Sequence, residues 1–200
     1  MIRFLSLAVV SLFLGGCFTS TEPPIQHYVL HPSGVDGDVR VRVPASIIVE
    51  KPSVVSGLNT DRIALLKNDR RKLDYFAAAR WNGELDVILQ DFIIETLENS
   101  YDIVEVDATG LRQDADYVVV TKVRDFQAEY DESLGDAPNL RVSLVISVLK
   151  LPSLEPVERF IKTEEVKAEE NSMQAVTQGL EMLLQNISQD VLSDIKNMIQ

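Results

Sequence analysis

The chain has 200 residues, 46% hydrophobic and 25% charged, with 9 Gly and 8 Pro, which suits one domain with its own core and excludes collagen-like, low-complexity and wholly disordered classes. Lys and Arg number 19 against 31 Asp and Glu, a net charge of −12, and so acidic a chain is a poor nucleic-acid binder because phosphate contacts need clustered cations. One cysteine and two histidines exclude an intrachain disulfide and a Cys-rich metal site.

Residues 1–16, MIRFLSLAVVSLFLGG, place Arg3 ahead of an apolar stretch from Phe4 to Leu14. That stretch is short of the about 20 apolar residues a spanning helix needs, and it fits the hydrophobic region of a secretory signal peptide. Leu14-Gly15-Gly16-Cys17 then resembles the lipobox of bacterial lipoproteins: an aliphatic residue, two small residues, cysteine. The resemblance implies that the Cys17 thiol takes a diacylglycerol, that the chain is cut before Cys17, and that the new amino group is acylated. One acyl chain holds a protein only marginally, at about 0.8 kcal/mol per buried CH₂, whereas three make the anchor effectively permanent. Phe18 stands where enterobacterial lipoproteins kept at the inner membrane have Asp, so the same resemblance implies the outer membrane and a periplasm-facing domain. From Cys17 onward there are 18 basic and 31 acidic residues, a net charge of −13. The expected organisation is a signal peptide at 1–16, a lipidated tether with Pro23-Pro24 at 17–25, and a single domain at 26–200.

Gln26 to Leu30 alternates and predicts a short strand. Val39 to Val43 and Ile47 to Glu50 predict a strand that Pro44 interrupts or confines to an edge. Lys51 to Arg62, with its Pro, Ser, Gly and Asn, predicts a loop. Ile63 to Leu66 and Leu73 to Phe76 predict short strands around a turn at Lys67-Asn68-Asp69. Asn82 is placed to cap a helix with Glu84 and Asp86 in its first turn. Leu85, Ile88, Leu89, Phe92, Ile93, Thr96 and Leu97 recur at helical spacing, and that helix should end near Asn99.

Ile103 to Val106 predicts the next strand. Asp116 to Tyr130 predicts a long one whose phase changes: Val119, Thr121 and Val123 share one parity, Phe126, Ala128 and Tyr130 the other, so a bulge is expected near Arg124-Asp125. In Leu140 to Leu149, Val142, Leu144, Ile146 and Val148 share a face. Pro152 to Pro156 predicts a turn and Val157 to Val166 the returning strand of a hairpin. Asn171 with Gln174 matches a capping box, and an apolar stripe from Met173 through Leu184 to Met198 predicts a helix over 172–198. Two amphipathic helices need one apolar partner surface. The predicted fold is therefore α+β (mixed α/β): one sheet with both helices packed on one face, a two-layer sandwich.

The sequence offers no catalytic constellation, and neither a cofactor nor a metal is predicted. There is no glycine-rich phosphate loop and no G-x-S-x-G elbow. His27 and His31 would lie roughly 13 Å apart on one strand face, too far to share a metal. Asp91, Glu95 and Glu98 fall opposite the apolar stripe and read as a solvated face, as do Glu164-Glu165 and Glu169-Glu170. One charge feature stands out: Arg62, Lys67, Arg70, Arg71, Lys72 and Arg80 sit within one segment of an acidic chain. Such a segment suits partner docking, since complementary potentials steer association; the alternative is a solvated strand–turn region.

The order of landmarks resembles the ABC-type transport auxiliary lipoproteins of the PqiC-like kind. The lipobox is followed by Tyr28-Val29-Leu30, the Val39–Val43 strand, Asp61-Arg62-Ile63, Ala79-Arg80-Trp81 before the first helix, Asp116-Tyr117-Val118, and the C-terminal helix from Met173 to Ile199. The chain departs from the family at Leu58-Asn59-Thr60, where an aromatic residue is common. The resemblance implies a non-enzymatic outer-membrane component that receives or docks an MCE-domain protein, itself served by an ABC permease and ATPase, in lipid transport across the periplasm. It also allows a homo-oligomeric ring. The alternative class is an outer-membrane assembly or envelope-integrity lipoprotein without a transporter partner. Trp81 at the helix start is expected to anchor the core rather than an interface.

Overall fold

A computed structural model describes residues 23–32, 41–67, 71–107, 115–131 and 133–199. The expected signal peptide at 1–16, Cys17 and Arg70 lie outside the described residues. Nine strands form one sheet: β1 (Gln26–Tyr28), β2 (Val41–Val49), β3 (Ser53–Val54), β4 (Arg62–Lys67), β5 (Lys72–Trp81), β6 (Tyr101–Asp107), β7 (Tyr117–Tyr130), β8 (Asn139–Lys150) and β9 (Glu155–Lys167). Among the described residues two helices, α1 (Leu85–Ser100) and α2 (Met173–Ile199), complete the α+β fold.

Strand β7 is the spine. One edge pairs antiparallel with β8 along its length, and β8 pairs with β9, so the last three strands are a meander. The other edge receives three segments in turn, all parallel: Ile47–Val49 of β2 beside Tyr117–Val119, Ser53–Val54 of β3 beside Lys122–Val123, and Leu65–Lys67 of β4 beside Ala128–Tyr130. β2 carries β6 on its far side; β4 carries β5, which carries β1. The expected phase change in β7 is a register shift against β8 between Val123 and Asp125. It lets Val119, Thr121, Val123, Phe126, Ala128 and Tyr130 all be buried despite the change of parity.

Two expectations are corrected and a third is narrowed. Pro44 interrupts β2, one of the two readings, and does not mark an edge strand, because β2 is flanked by β6 and β7. It is tolerated because the pairing with β6 slips between Val43 and Ser46 and the pairing with β7 begins only at Ile47, so no ladder bond needs its missing N–H. Asn82 does not cap α1; the first turn closes on the Glu84 carbonyl, which accepts the Val87 and Ile88 N–H groups at 3.0 and 3.2 Å. Ser172, not Asn171, caps α2, its Oγ accepting the Ala175 N–H at 3.2 Å. Asn171 instead accepts the Tyr130 hydroxyl at 2.8 Å and donates to the Leu134 carbonyl at 2.6 Å, tying the β7–β8 loop to the start of α2.

Both helices lie on the same face of the sheet, α1 over β2, β3 and β6, α2 over β8, β9, β7 and β2, and they touch each other. Their stripes are the buried ones: Leu85, Leu89, Phe92 and Leu97 on α1, Leu180, Leu183, Leu184 and Ile187 on α2. Gly179 brings α2 close to the sheet; a Cβ there would stand 2.2 Å from Leu140 Cδ1. Trp81 is buried as expected, its ring 5.8 Å from that of Phe126 and tilted by 57°. Between α1, α2 and β7–β8 remains a small apolar cavity of about 30 Å³, lined by Ile93, Leu97, Val191 and Leu192 and by Thr121.

Candidate docking face

The basic segment folds into the β4–β5 hairpin, whose register sets cations opposite each other twice: Arg62 faces Arg80 at the open end, and Lys67 faces Lys72 at the tip. Like charges in such positions repel, and each pair is relieved in its own way. The Arg62 guanidinium lies 3.7 Å from the centroid of the Tyr75 ring, a cation–π contact. The Tyr75 hydroxyl donates to the Gly57 carbonyl at 2.7 Å, which fixes that platform to the β3–β4 loop. Arg80 turns onto the main chain, donating to the Ala79 and Phe76 carbonyls at 2.8 and 3.1 Å.

At the tip, Lys67 Nζ meets the Asp74 carboxylate at 3.0 Å. That hydrogen bond, the Tyr75 N–H and the Lys67 charge hold the Asp74 carboxyl below its ordinary range. Arg71 and Lys72 are exposed and make no ion pair with a described residue. The structure thus divides the predicted patch. Arg62 and Arg80 stand at one end of the hairpin, Lys67, Arg71 and Lys72 at the other, five residues of β4 or roughly 17 Å away.

Beside Arg62, a polar cleft of about 400 Å³ opens between the β3–β4 loop and the start of α1, lined by His27, Asn59, Asp61, Asn82 and Glu84 over the buried Trp81. The Trp81 N–H donates to the Asp61 carbonyl at 2.6 Å, closing the cleft floor. Next to it the loop is locked to the helix. Asn59 Oδ1 accepts the Asp86 N–H at 3.0 Å, Asn59 Nδ2 donates to Asp86 Oδ2 at 3.1 Å, and Lys51 Nζ reaches the same oxygen at 2.9 Å. Burial alone would raise the Asp86 pKa, but the bonds from Lys51 and Asn59 and the Lys51 charge outweigh it, so this carboxyl titrates below its ordinary value. Its other oxygen, Oδ1, is buried with no hydrogen-bond partner among the described residues. The Lys51–Asn59–Asp86 cluster is not visible in the sequence, where Asn59 is one turn residue among Ser56, Gly57 and Thr60. The only sequence signal for it is the acidic residue in the first turn of α1.

The other sequence candidates are dispersed. His27 Nδ1 lies 3.4 Å from the Trp81 carbonyl, and His31, past the end of β1, uses its main-chain N–H on Glu181 at 3.0 Å. Asp91, Glu95 and Glu98 line the exposed side of α1. Among the described residues no three His, Cys, Asp or Glu side chains gather as a metal site, and no helix is long and apolar enough to cross a membrane.

In fold, the chain is similar to protein XCC0632 from Xanthomonas campestris, with 20% identity and a TM-score of 0.72 over 83% of this chain and 92% of that one. A second crystal structure, of an uncharacterised protein, matches at 15% identity and a TM-score of 0.68 over 86% of this chain and 99% of that one. Hypothetical protein CT253 from Chlamydia trachomatis matches at 8% identity and a TM-score of 0.51, over 78% and 98% of the two chains. At such identities the likeness shows the fold alone. No curated protein matches in sequence. The model of the ABC-type transport auxiliary lipoprotein component family matches residues 28–192, from β1 to the last turns of α2, and the chain belongs to that family.

Proposed function

We propose that the protein is a non-enzymatic outer-membrane lipoprotein, held by lipidated Cys17 and facing the periplasm, that docks the periplasmic end of an MCE-type lipid conduit served by an ABC permease and ATPase. The observation that carries this reading is the family match over residues 28–192, joined to the Leu14-Gly15-Gly16-Cys17 motif ahead of it. Phe18 after the cysteine supports the outer membrane. The partner contact is the open end of the hairpin: Arg62 is exposed, preset on the Tyr75 ring, and adjoins the polar cleft. A preorganised cation loses little freedom on binding and steers an acidic partner.

The test is co-purification of the full-length lipoprotein with MCE-domain proteins of the same cell, at low and high salt. A complex that weakens with salt and with Arg62→Glu is expected, because the Debye length falls from about 10 Å at 0.1 M to about 3 Å at 1 M. No complex from folded, membrane-bound protein at either salt overturns the docking function and favours the envelope-integrity alternative. A complex indifferent to Arg62→Glu keeps the function and rejects the site.

A further inference from the structure

An Asn-Gly pair occurs once in the chain, at Asn82-Gly83. It lies between the end of β5 at Trp81 and the start of α1 at Leu85, at the rim of the polar cleft. The Asn82 main-chain N–H donates to the Tyr28 carbonyl at 2.9 Å, which fixes the backbone there. The side chain is not fixed: Asn82 is exposed, and its amide makes no hydrogen bond with a described residue. The Gly83 N–H likewise has no partner among the described residues, because the first turn of α1 closes on the Glu84 carbonyl, one residue further on. An unbonded side-chain amide thus precedes an unbonded main-chain N–H, with no Cβ to screen it and a glycine backbone free to turn. The other asparagines with described side chains differ. Asn59 and Asn171 use both side-chain polar atoms in hydrogen bonds. Asn139, Asn186 and Asn197 precede Leu140, Ile187 and Met198, inside β8 or α2, where regular structure engages the main chain.

We propose that Asn82-Gly83 is a spontaneous deamidation site, a change of charge built into the cleft. The Gly83 nitrogen gives up its proton and attacks Asn82 Cγ. The N–Cγ bond forms as the Cγ–Nδ2 bond breaks; Nδ2 leaves as ammonia with that proton, and a cyclic imide remains. Water then opens the ring at either carbonyl, giving aspartate or isoaspartate at position 82. Water is consumed, ammonia is released, nothing is oxidised or reduced, and the position becomes negatively charged. A carboxylate just ahead of α1 meets the positive end of the helix dipole, so the fold accepts the product. The new charge joins Asp61 and Glu84 on the cleft wall. It opposes the attraction of Arg62 for an acidic partner, a consequence that rests on the docking reading above, as the modification itself does not.

The test incubates the full-length lipoprotein, purified in detergent, at neutral and at mildly alkaline pH, and follows it by ion exchange and by peptide mapping with fragmentation. The expected result is an acidic species that accumulates faster at alkaline pH, with the mass change of NH₂ to OH at position 82 and an isoaspartate share labelled by an isoaspartyl methyltransferase. Asn82→Gln keeps an amide but lengthens the side chain, so the acidic species should be lost. Gly83→Ala should slow its formation, and its Cβ is a close fit at 3.3 Å from Ile88 Cγ2. An Asn82 that stays intact in the folded protein while the urea-denatured chain loses it overturns the site. So does deamidation no faster at Asn82 than at Asn139 or Asn186, or an acidic species that survives Asn82→Gln. The consequence for docking has its own readout: Asn82→Asp should weaken the capture of MCE-domain proteins that Arg62→Glu weakens. Capture that responds to Arg62→Glu but not to Asn82→Asp overturns the consequence and leaves the deamidation site. Absence of capture by wild type overturns the docking reading, while the peptide map still decides the site.

Discussion

Asn59 caps a helix that it does not belong to: its side-chain oxygen accepts the Asp86 N–H at 3.0 Å across 27 residues of sequence, while its amide donates to the Asp86 carboxylate at 3.1 Å. A free donor at a helix start is normally satisfied by the residue just before it. Here the β3–β4 loop does so, and the same loop holds the Gly57 carbonyl on which Tyr75, and through it Arg62, is set. The helix start and the proposed contact are therefore one mechanical unit.

Asn59→Ala is expected to lower stability by about 1 kcal/mol, the usual cost of a lost cap, read as a lower Tm. Asp86→Asn should show the electrostatic part through pH. The folded Asp86 pKa lies below the ordinary value of 3.8, so its contribution is full above that value and is lost as pH falls through the lower, folded one. The Tm gap between wild type and Asp86→Asn should be constant from neutral pH down to the ordinary value and close in stronger acid. A gap that widens on acidification would contradict the assignment.

Gly179→Ala should destabilise by about 1–3 kcal/mol, the range for overpacking a filled core. The new methyl would stand 2.2 Å from Leu140 Cδ1, and Leu140 is fully buried. Shortening the opposing side chain in a Gly179→Ala/Leu140→Val double variant should recover part of the loss, and the coupling energy from the four proteins' denaturant midpoints measures the contact. Additive losses would mean that α2 shifts on the sheet instead.

Thr121→Val should raise stability by about 1 kcal/mol. Thr121 is 1% exposed and its hydroxyl has no hydrogen-bond partner among the described residues. Valine has the same shape, removes the orphaned group, and faces the apolar cavity under the two helices. A lower midpoint for the valine variant in urea would show that the hydroxyl is satisfied in solution.

Local pattern alone determined most of the architecture. The helical stripes from Leu85 to Leu97 and from Met173 to Met198, the alternation in β8 and the change of parity in β7 each record which side of an element meets the core, and burial is a property that side-chain chemistry carries by itself. Pairing partners were not legible. That β2, β3 and β4 all lie parallel along one edge of β7, which puts the end of β2 inside the sheet, depends on segments far apart in sequence meeting in space. The caps were misplaced by two residues at α1 and one at α2 because local signals at Asn82 and Asn171 compete with tertiary ones: Asn59 serves the first turn of α1, and Tyr130 engages Asn171. The basic segment is the sharpest case. Composition showed six cations in one stretch of chain, but the antiparallel pairing of β4 with β5 separates its two ends by the length of the strands, a distance that no local pattern encodes.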